Sequence, residues 1–352
     1  MSLTGTTSRA NELAALRTIP RAANWVALPE ALSSQGVFGA YPPGSENYSF
    51  GAPYVHWTQP LVLPSGYVTA VASLGTDVYA VDEVQTVWKS ADGMFWRARP
   101  YLPYTTYAYG LLFSAGGVLY AGVTNTGGYI YGSSDGKTWA QACDGHATTD
   151  YFKSMCSFGG KVYAGSHAAY GSLASVRDNG SGGSAWNICE TESTDSVFFS
   201  LCVFDGVLYA GTGTLAASIH YSADGAAWTR ATPFTSVSGL WVLSLVVFSG
   251  AMYALVRSTA KWTVWKTSNG VDWTQVYASA FASSTQGNLF CSDAYLYCVT
   301  SGVGNVYAMR SADGTTWEQL PGAMSGICGK GLWLSPYLVC PYGSGILVVR
   351  EL

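Results

Sequence analysis

The chain has 352 residues, only 11% of them charged, and a formal net charge of −4. An average soluble domain carries about 25% charged residues, so the surface here must be built from Ser, Thr, Asn, the abundant Gly (41) and the abundant Tyr (24). The charge balance, without a Lys/Arg cluster, argues against nucleic-acid binding, and no apolar run approaches the ~18 residues of a membrane helix.

Residues 1–52 stand outside the pattern that governs the rest. Leu13-Ala14-Ala15-Leu16 is flanked by Glu12 and Arg17, unlike a signal-peptide core, which predicts synthesis in a cytosol. Residues 8–17 suit a short helix with Leu13 and Leu16 on one face. Pro20, Pro29, Pro42 and Pro43 then favour an extended arm over a second core. Its apolar residues (Trp25, Val26, Leu28, Val37, Phe38, Tyr41) predict that the arm docks, on the body of the protein or on a partner.

From residue 53 the chain runs in a cycle of four short strands. The second strand of each cycle reads Val78-Tyr79-Ala80, Leu119-Tyr120-Ala121, Val162-Tyr163-Ala164, Leu208-Tyr209-Ala210, Met252-Tyr253-Ala254, Leu296-Tyr297-Cys298 and Leu338-Val339-Cys340. A hairpin between the third and fourth strands reads Ser90-Ala91-Asp92-Gly93-Met94-Phe95-Trp96. It returns with Asp135-Gly136 and Trp139, Asp224-Gly225 and Trp228, Asn269-Gly270 and Trp273, and Asp313-Gly314 and Trp317; a stretched copy runs from Arg177 to Trp186. The carboxylate binds turn amides and Gly takes the left-handed conformation at no steric cost. The six Trp recur at intervals of 42 to 47 residues, the length of one four-stranded propeller blade.

The last cycle ends one strand short, and Tyr54-Val55-His56-Trp57-Thr58-Gln59-Pro60 supplies a matching fourth strand, its Trp-Thr-Gln repeating Trp273-Thr274-Gln275. The expectation is an all-β fold over 53–352: a seven-bladed β-propeller with four-stranded blades, closed by residues 54–60 pairing with 346–350, plus the N-terminal arm. Cys298 and Cys340 share the slot filled elsewhere by Ala, and Cys156 and Cys202 share another, so small buried thiols are expected rather than disulfides.

The Ser/Thr-x-Asp-Gly-x-x-Trp turn resembles the Asp-box, or BNR, repeat of β-propellers, a group that includes sialidases, xyloglucan-degrading glycosidases, the sortilin ectodomain and photosystem assembly factors. The resemblance covers 54–352 and implies a structural role for Asp92, Trp96, Asp135, Trp139, Asp224, Trp228, Asn269, Trp273, Asp313 and Trp317, on the edge away from the usual binding face. Sialidases of this group grip a substrate carboxylate with three arginines, and an Arg-Ile-Pro segment normally opens their fold. Arg17-Thr18-Ile19-Pro20 is a poor echo outside the blades, and no spacing supports a triad among the others, of which Arg310 and Arg350 are expected at the outer edge.

Loops on the opposite edge are the expected place for recognition. Residues 100–109 place Tyr101, Tyr104, Tyr107 and Tyr109 close together, rings suited to sugar C–H faces. Neighbouring loops carry Asp82 and Glu83, then Asp144, His146 and Asp150, then Glu190, Glu192 and Asp195; paired carboxylates of this kind suit glycoside hydrolysis. Arg257, Lys261 and Trp262 suit an anionic sugar or partner. A calcium site needs six to eight oxygens, and no dense Asp/Asn loop supplies them. The four histidines (His56, His146, His167, His220) lack ligand spacing, so no metal and no cofactor is expected.

The leading functional expectation is a non-enzymatic binding or structural propeller: a virion component, such as a phage tail or capsid-surface protein. Its arm, residues 1–52, would join other structural subunits, and its open edge would contact a cell-surface glycan or another structural protein. A sialidase-like hydrolase or lyase using rim carboxylates, and a purely architectural subunit, are the alternatives. The matching location is the virion surface after cytoplasmic synthesis, with a cytoplasmic protein or one exported without a signal peptide as the alternative.

Overall fold

The structure, a computed structural model, describes residues 56–350 apart from 63–66, 104–110, 124–127, 144–150, 168–172, 180–185, 195–196, 214–216, 235–240, 259–260, 280–282, 303–304, 321–330, 336 and 343–344. The expected arm, 1–52, lies outside these residues. Among them all regular structure is β-strand, and no helix is long and apolar enough to cross a membrane.

Strand β1 spans His56–Val62. A four-stranded antiparallel sheet follows: β2 (Val68–Leu74), β3 (Asp77–Asp82), β4 (Thr86–Ser90) and β5 (Arg97–Tyr101). The next comprises β6 (Leu111–Ala115), β7 (Val118–Val123), β8 (Tyr129–Ser133) and β9 (Ala140–Cys143). Three further runs are β10 (Tyr151–Phe158), β11 (Lys161–His167), β12 (Leu173–Asp178) and β13 (Asn187–Thr194); β14 (Val197–Phe204), β15 (Val207–Gly213), β16 (Ile219–Ser222) and β17 (Thr229–Ala231); and β18 (Trp241–Phe248), β19 (Ala251–Arg257), β20 (Trp262–Thr267) and β21 (Thr274–Ala278). Single register pairs, His167↔Val197 and Gly213↔Trp241, link these three runs into one twelve-stranded sheet.

Strands β22 (Ser283–Cys291), β23 (Leu296–Gly302), β24 (Asn305–Ser311) and β25 (Glu318–Gln319) form another four-stranded sheet. The last is ordered β1, β28 (Gly345–Arg350), β27 (Tyr337–Tyr342), β26 (Leu332–Leu334), so its outer strand comes from the other end of the described chain. His56 pairs with Arg350, Trp57 with Val349 and Thr58 with Val348, antiparallel.

Strand character follows position. Second strands such as β11, β15 and β19 are buried almost throughout, while β17 and β25 are largely exposed. A strand covered on both faces reads as a continuous apolar run rather than as alternation. The Ala slot is buried in each described case: Ala80, Ala121, Ala164, Ala210, Ala254, Cys298 and Cys340. Burial raises the thiol pKa of Cys298 and Cys340. Cys143, Cys156, Cys189, Cys202, Cys291, Cys298 and Cys340 are all free thiols.

Neighbouring sheets share apolar seams, and each box Trp packs at the seam with the preceding sheet. Trp139 joins the cluster of Tyr79 and Leu119, Trp186 that of Ile130 and Ala164, and Trp228 that of Tyr163 and Leu208. Trp273 and Trp317 repeat the arrangement, and Trp96 packs with Ala80, Val339 and Leu332, so the last sheet meets the first. Serines at first-strand bulges lace three seams. Ser154 Oγ donates to Phe198 O at 3.3 Å, Ser200 Oγ to Val242 O at 3.5 Å, and Ser244 Oγ to Leu289 O at 3.2 Å.

Candidate ligand-binding edge

The two edges of the sheets are built on different principles. At the box edge the turn carboxylates are saturated locally. Asp92 Oδ1 accepts from Met94 N–H at 2.8 Å and Phe95 N–H at 3.0 Å. Asp135, Asp224 and Asp313 repeat the pattern at 2.6 to 2.8 Å. The backbone N–H groups of Thr138 and Lys137 hold the Asp135 carboxyl down at about 2. Those of Ala227 and Ala226 lower Asp224, and those of Thr316 and Thr315 lower Asp313. Asn269 does the same work uncharged, accepting from Val271 and Asp272 N–H at 2.9 Å.

The box glycines take φ between 66° and 77°, and their missing side chains admit a tyrosine from the preceding sheet. A Cβ on Gly136 would lie 2.1 Å from Tyr79 Cε1; on Gly225, Gly270 and Gly314 it would lie 2.0, 1.9 and 1.9 Å from the hydroxyls of Tyr163, Tyr209 and Tyr253. At Gly93 the facing residue is Val339, whose Cγ2 would be 3.5 Å away.

The opposite edge is less symmetrical. In the β18–β21 run, Trp241 begins β18, Arg257 ends β19 and Trp262 begins β20, and register pairs Trp241↔Arg257↔Trp262 place them in one cross-strand row. This row lies at the end of the strands away from the Asn269-Gly270 turn. Arg257 Cζ sits 3.8 Å from the Trp241 ring centroid. Arg257 Nε and Nη1 are buried and have no hydrogen-bond partner, and the same holds for the indole Nε1 of Trp241 and of Trp262. Burial lowers the pKa of the guanidinium. Ser258 and exposed Lys261 close the adjoining turn, with Ser258 N–H donating to Lys261 O at 2.9 Å. Phe199, at the bulge of β14, lies 6.3 Å from the Trp241 ring, centroid to centroid. Lys153 holds the corresponding bulge of β10, and burial pushes its amine down to about 8.

The residues singled out from the sequence are distributed unevenly. Arg257 is partly exposed and is the last residue of strand β19 rather than part of a rim loop. Trp262 does not lie on a rim loop: it is 0% exposed, packed on Leu255 and Gly287 within the core, because its strand starts one residue after the turn. Tyr101 and Glu192 lie in strands β5 and β13 rather than in loops. Tyr104, Tyr107, Asp144, His146 and Asp150 lie outside the described residues. Asp82 is buried, not on the rim: its carboxylate accepts from Thr86 N–H at 2.7 Å and Trp88 Nε1–H at 3.0 Å. Glu190 Oε1 lies 3.1 Å from Nδ1 of buried His220. Arg310 is buried instead of facing outward, stacked 4.3 Å over Tyr295 and bonded to Glu318.

Trp241 was not singled out from the sequence, although a tryptophan off the 42–47-residue interval marks it as doing something other than closing a turn. Among the described residues no group of three or more His, Cys, Asp or Glu is placed to hold a metal ion.

No protein-family model and no curated protein matches the chain. Solved structures do. The chain is similar to a streptogramin B lyase (TM-score 0.69, 8% identity, covering 85% of this chain and 98% of that one). It is also similar to YCF48 bound to D1 peptide (TM-score 0.62, 13% identity, covering 86% and 99%) and to the computationally designed Ika8 protein (TM-score 0.51, 11% identity, covering 84% and 99%). The chain has the fold of the β-propeller proteins. At these identities the likeness concerns the fold alone.

Proposed function

We propose that the chain is a seven-bladed propeller of four-stranded blades, closed by β1, and that it acts as a non-enzymatic binding module. In this reading it is a virion component that attaches to other structural subunits through residues 1–52 and contacts a cell-surface glycan with the edge opposite the Asp-box turns. Closure is supported by the His56–Thr58 register on β28 and by Val339 facing Gly93. The observation that carries the function is the Trp241–Arg257 pair, whose buried donors face no acceptor. Two of the acids singled out above are meanwhile engaged by their own structure: Asp82 by Thr86 and Trp88, and Glu190 by His220. This fold hosts both binding and chemistry; YCF48 is bound to a peptide, and another similar structure is a lyase.

The test is a glycan array probed with the full chain, followed by mass spectrometry of the retained glycan. Retention of intact glycan is expected. Released product would overturn this reading in favour of a hydrolase or lyase, and stoichiometric co-assembly through 1–52 without glycan retention would favour an architectural subunit. For closure, a chain beginning at residue 63 leaves the β28 edge unpaired and is expected to lose cooperative unfolding. Unchanged unfolding would rule out closure by β1.

A further inference from the structure

Among the described residues the buried arginines Arg310 and Arg177 have partners, whereas Arg99 Nε, like Arg257, is buried with none. Arg310 is bonded to Glu318 while stacked on Tyr295, and Arg177 Nε donates to Ser175 Oγ at 3.0 Å. Arg257 has the stacking without the acceptor. Its Cζ lies 3.8 Å over the Trp241 ring centroid, and two of its three nitrogens are buried with nothing to bond. A partly exposed guanidinium with no carboxylate partner has bonding capacity left for an acceptor that arrives from outside. The Trp241 Nε1–H adds another buried, unmatched donor in the same row. Lys261, exposed on the adjoining turn, adds a second positive charge, and among the described residues neither cation is paired with a carboxylate.

We propose that the Trp241–Arg257 row, with Lys261 beside it, is a subsite for the carboxylate of an acidic sugar. This rests on the glycan-binding reading above and names the class of glycan. A planar carboxylate matches the fork of a guanidinium whose position is fixed by stacking over an indole. Trp241, half-buried next to Phe199, offers apolar surface for the C–H face of the same sugar ring. The exposed Lys261 steers the anion, and the screened part of its attraction makes binding salt-sensitive.

The experiment titrates the full chain with tri-galacturonate and with its carboxyl-reduced, neutral trisaccharide, at low and high salt, for the wild type, Arg257→Gln and Arg257→Lys. Thermal unfolding of each variant checks the fold. Binding of the acidic trisaccharide alone is expected, weakened on the order of tenfold or more by Arg257→Gln and only partly restored by Lys, which keeps the charge and loses the flat fork. Equal binding of the neutral trisaccharide, or an Arg257→Gln affinity within twofold of wild type, would overturn the subsite while leaving a glycan-binding propeller intact. Failure of both sugars, with glycan-array signal also absent, would overturn the broader reading as well. Arg257-dependent binding of a Glu-rich peptide without binding of either sugar would overturn the sugar and point to an acidic protein partner.

Discussion

The edge of the Asp-Gly turns and the edge carrying Trp241 and Arg257 belong to the same strands, and they differ in how their charged groups are satisfied. In the box turns the acceptor and its donors lie within three residues of one another, as for Asp313 with Thr315 and Thr316. On the other edge, the donors of Arg257 face no acceptor at all. A turn whose carboxylate is satisfied within itself can be repeated around a fold as a structural unit, even where its indole N–H, as in Trp139 and Trp317, has no partner. An incomplete edge has interaction capacity left for a ligand.

The largest effect is expected at the turn glycines. Gly225→Ala puts a methyl 2.0 Å from the Tyr163 hydroxyl at φ 75°, whereas Gly93→Ala meets only Val339 at 3.5 Å. Overpacking plus left-handed strain predicts a loss of about 3 kcal/mol for the first, against about 1 kcal/mol of strain alone for the second. Urea denaturation of the two variants measures the difference, and equal losses would mean that the tyrosine contact adds nothing.

Arginine truncation separates the edges next. Arg310→Ala removes a buried stack and an ion pair, with an expected loss of roughly 1 kcal/mol or more. Arg257→Gln removes a charge that had no partner, so it should leave stability unchanged or raise it. Thermal unfolding of both variants provides the readout; a large loss for Arg257→Gln would make it a structural residue.

Acid should act on the box edge. The folded pKa of Asp135, Asp224 and Asp313 lies below the usual value of 3.8. The unfolded chain therefore takes up protons first on acidification. The turns' contribution is complete above pH 3.8 and is lost as pH falls toward about 2, the folded value for Asp135. A melting temperature that drops through this window is expected. The smallest effect is reserved for Asp135→Asn. It copies the uncharged Asn269 turn, should leave stability near neutral pH almost unchanged, and should make the acid drop shallower. An unchanged acid profile would remove Asp135 from the account.

Strand identities and the box turns were legible in the sequence because they are local. Val-Tyr-Ala runs, Asp-Gly turns and a Trp every 42 to 47 residues each report on a stretch shorter than one sheet. The position of β1 against β28 was legible too, since Trp57-Thr58-Gln59 repeats the pattern of a fourth strand. Rim residues were read less well. Asp82 looks like a loop acid and is a buried turn cap, and Trp262 looks like a rim aromatic and is core; one position along a strand end separates the two fates.

The sequence by itself therefore determined the repeating unit, since a carboxylate, a left-handed glycine and an indole within seven residues carry their own geometry. Only the tertiary structure decided that Tyr163 lies under Gly225, and that Arg257 is laid on Trp241 with its donors unmatched. Whether a polar group is satisfied depends on which distant strand is brought beside it, and no local pattern encodes that.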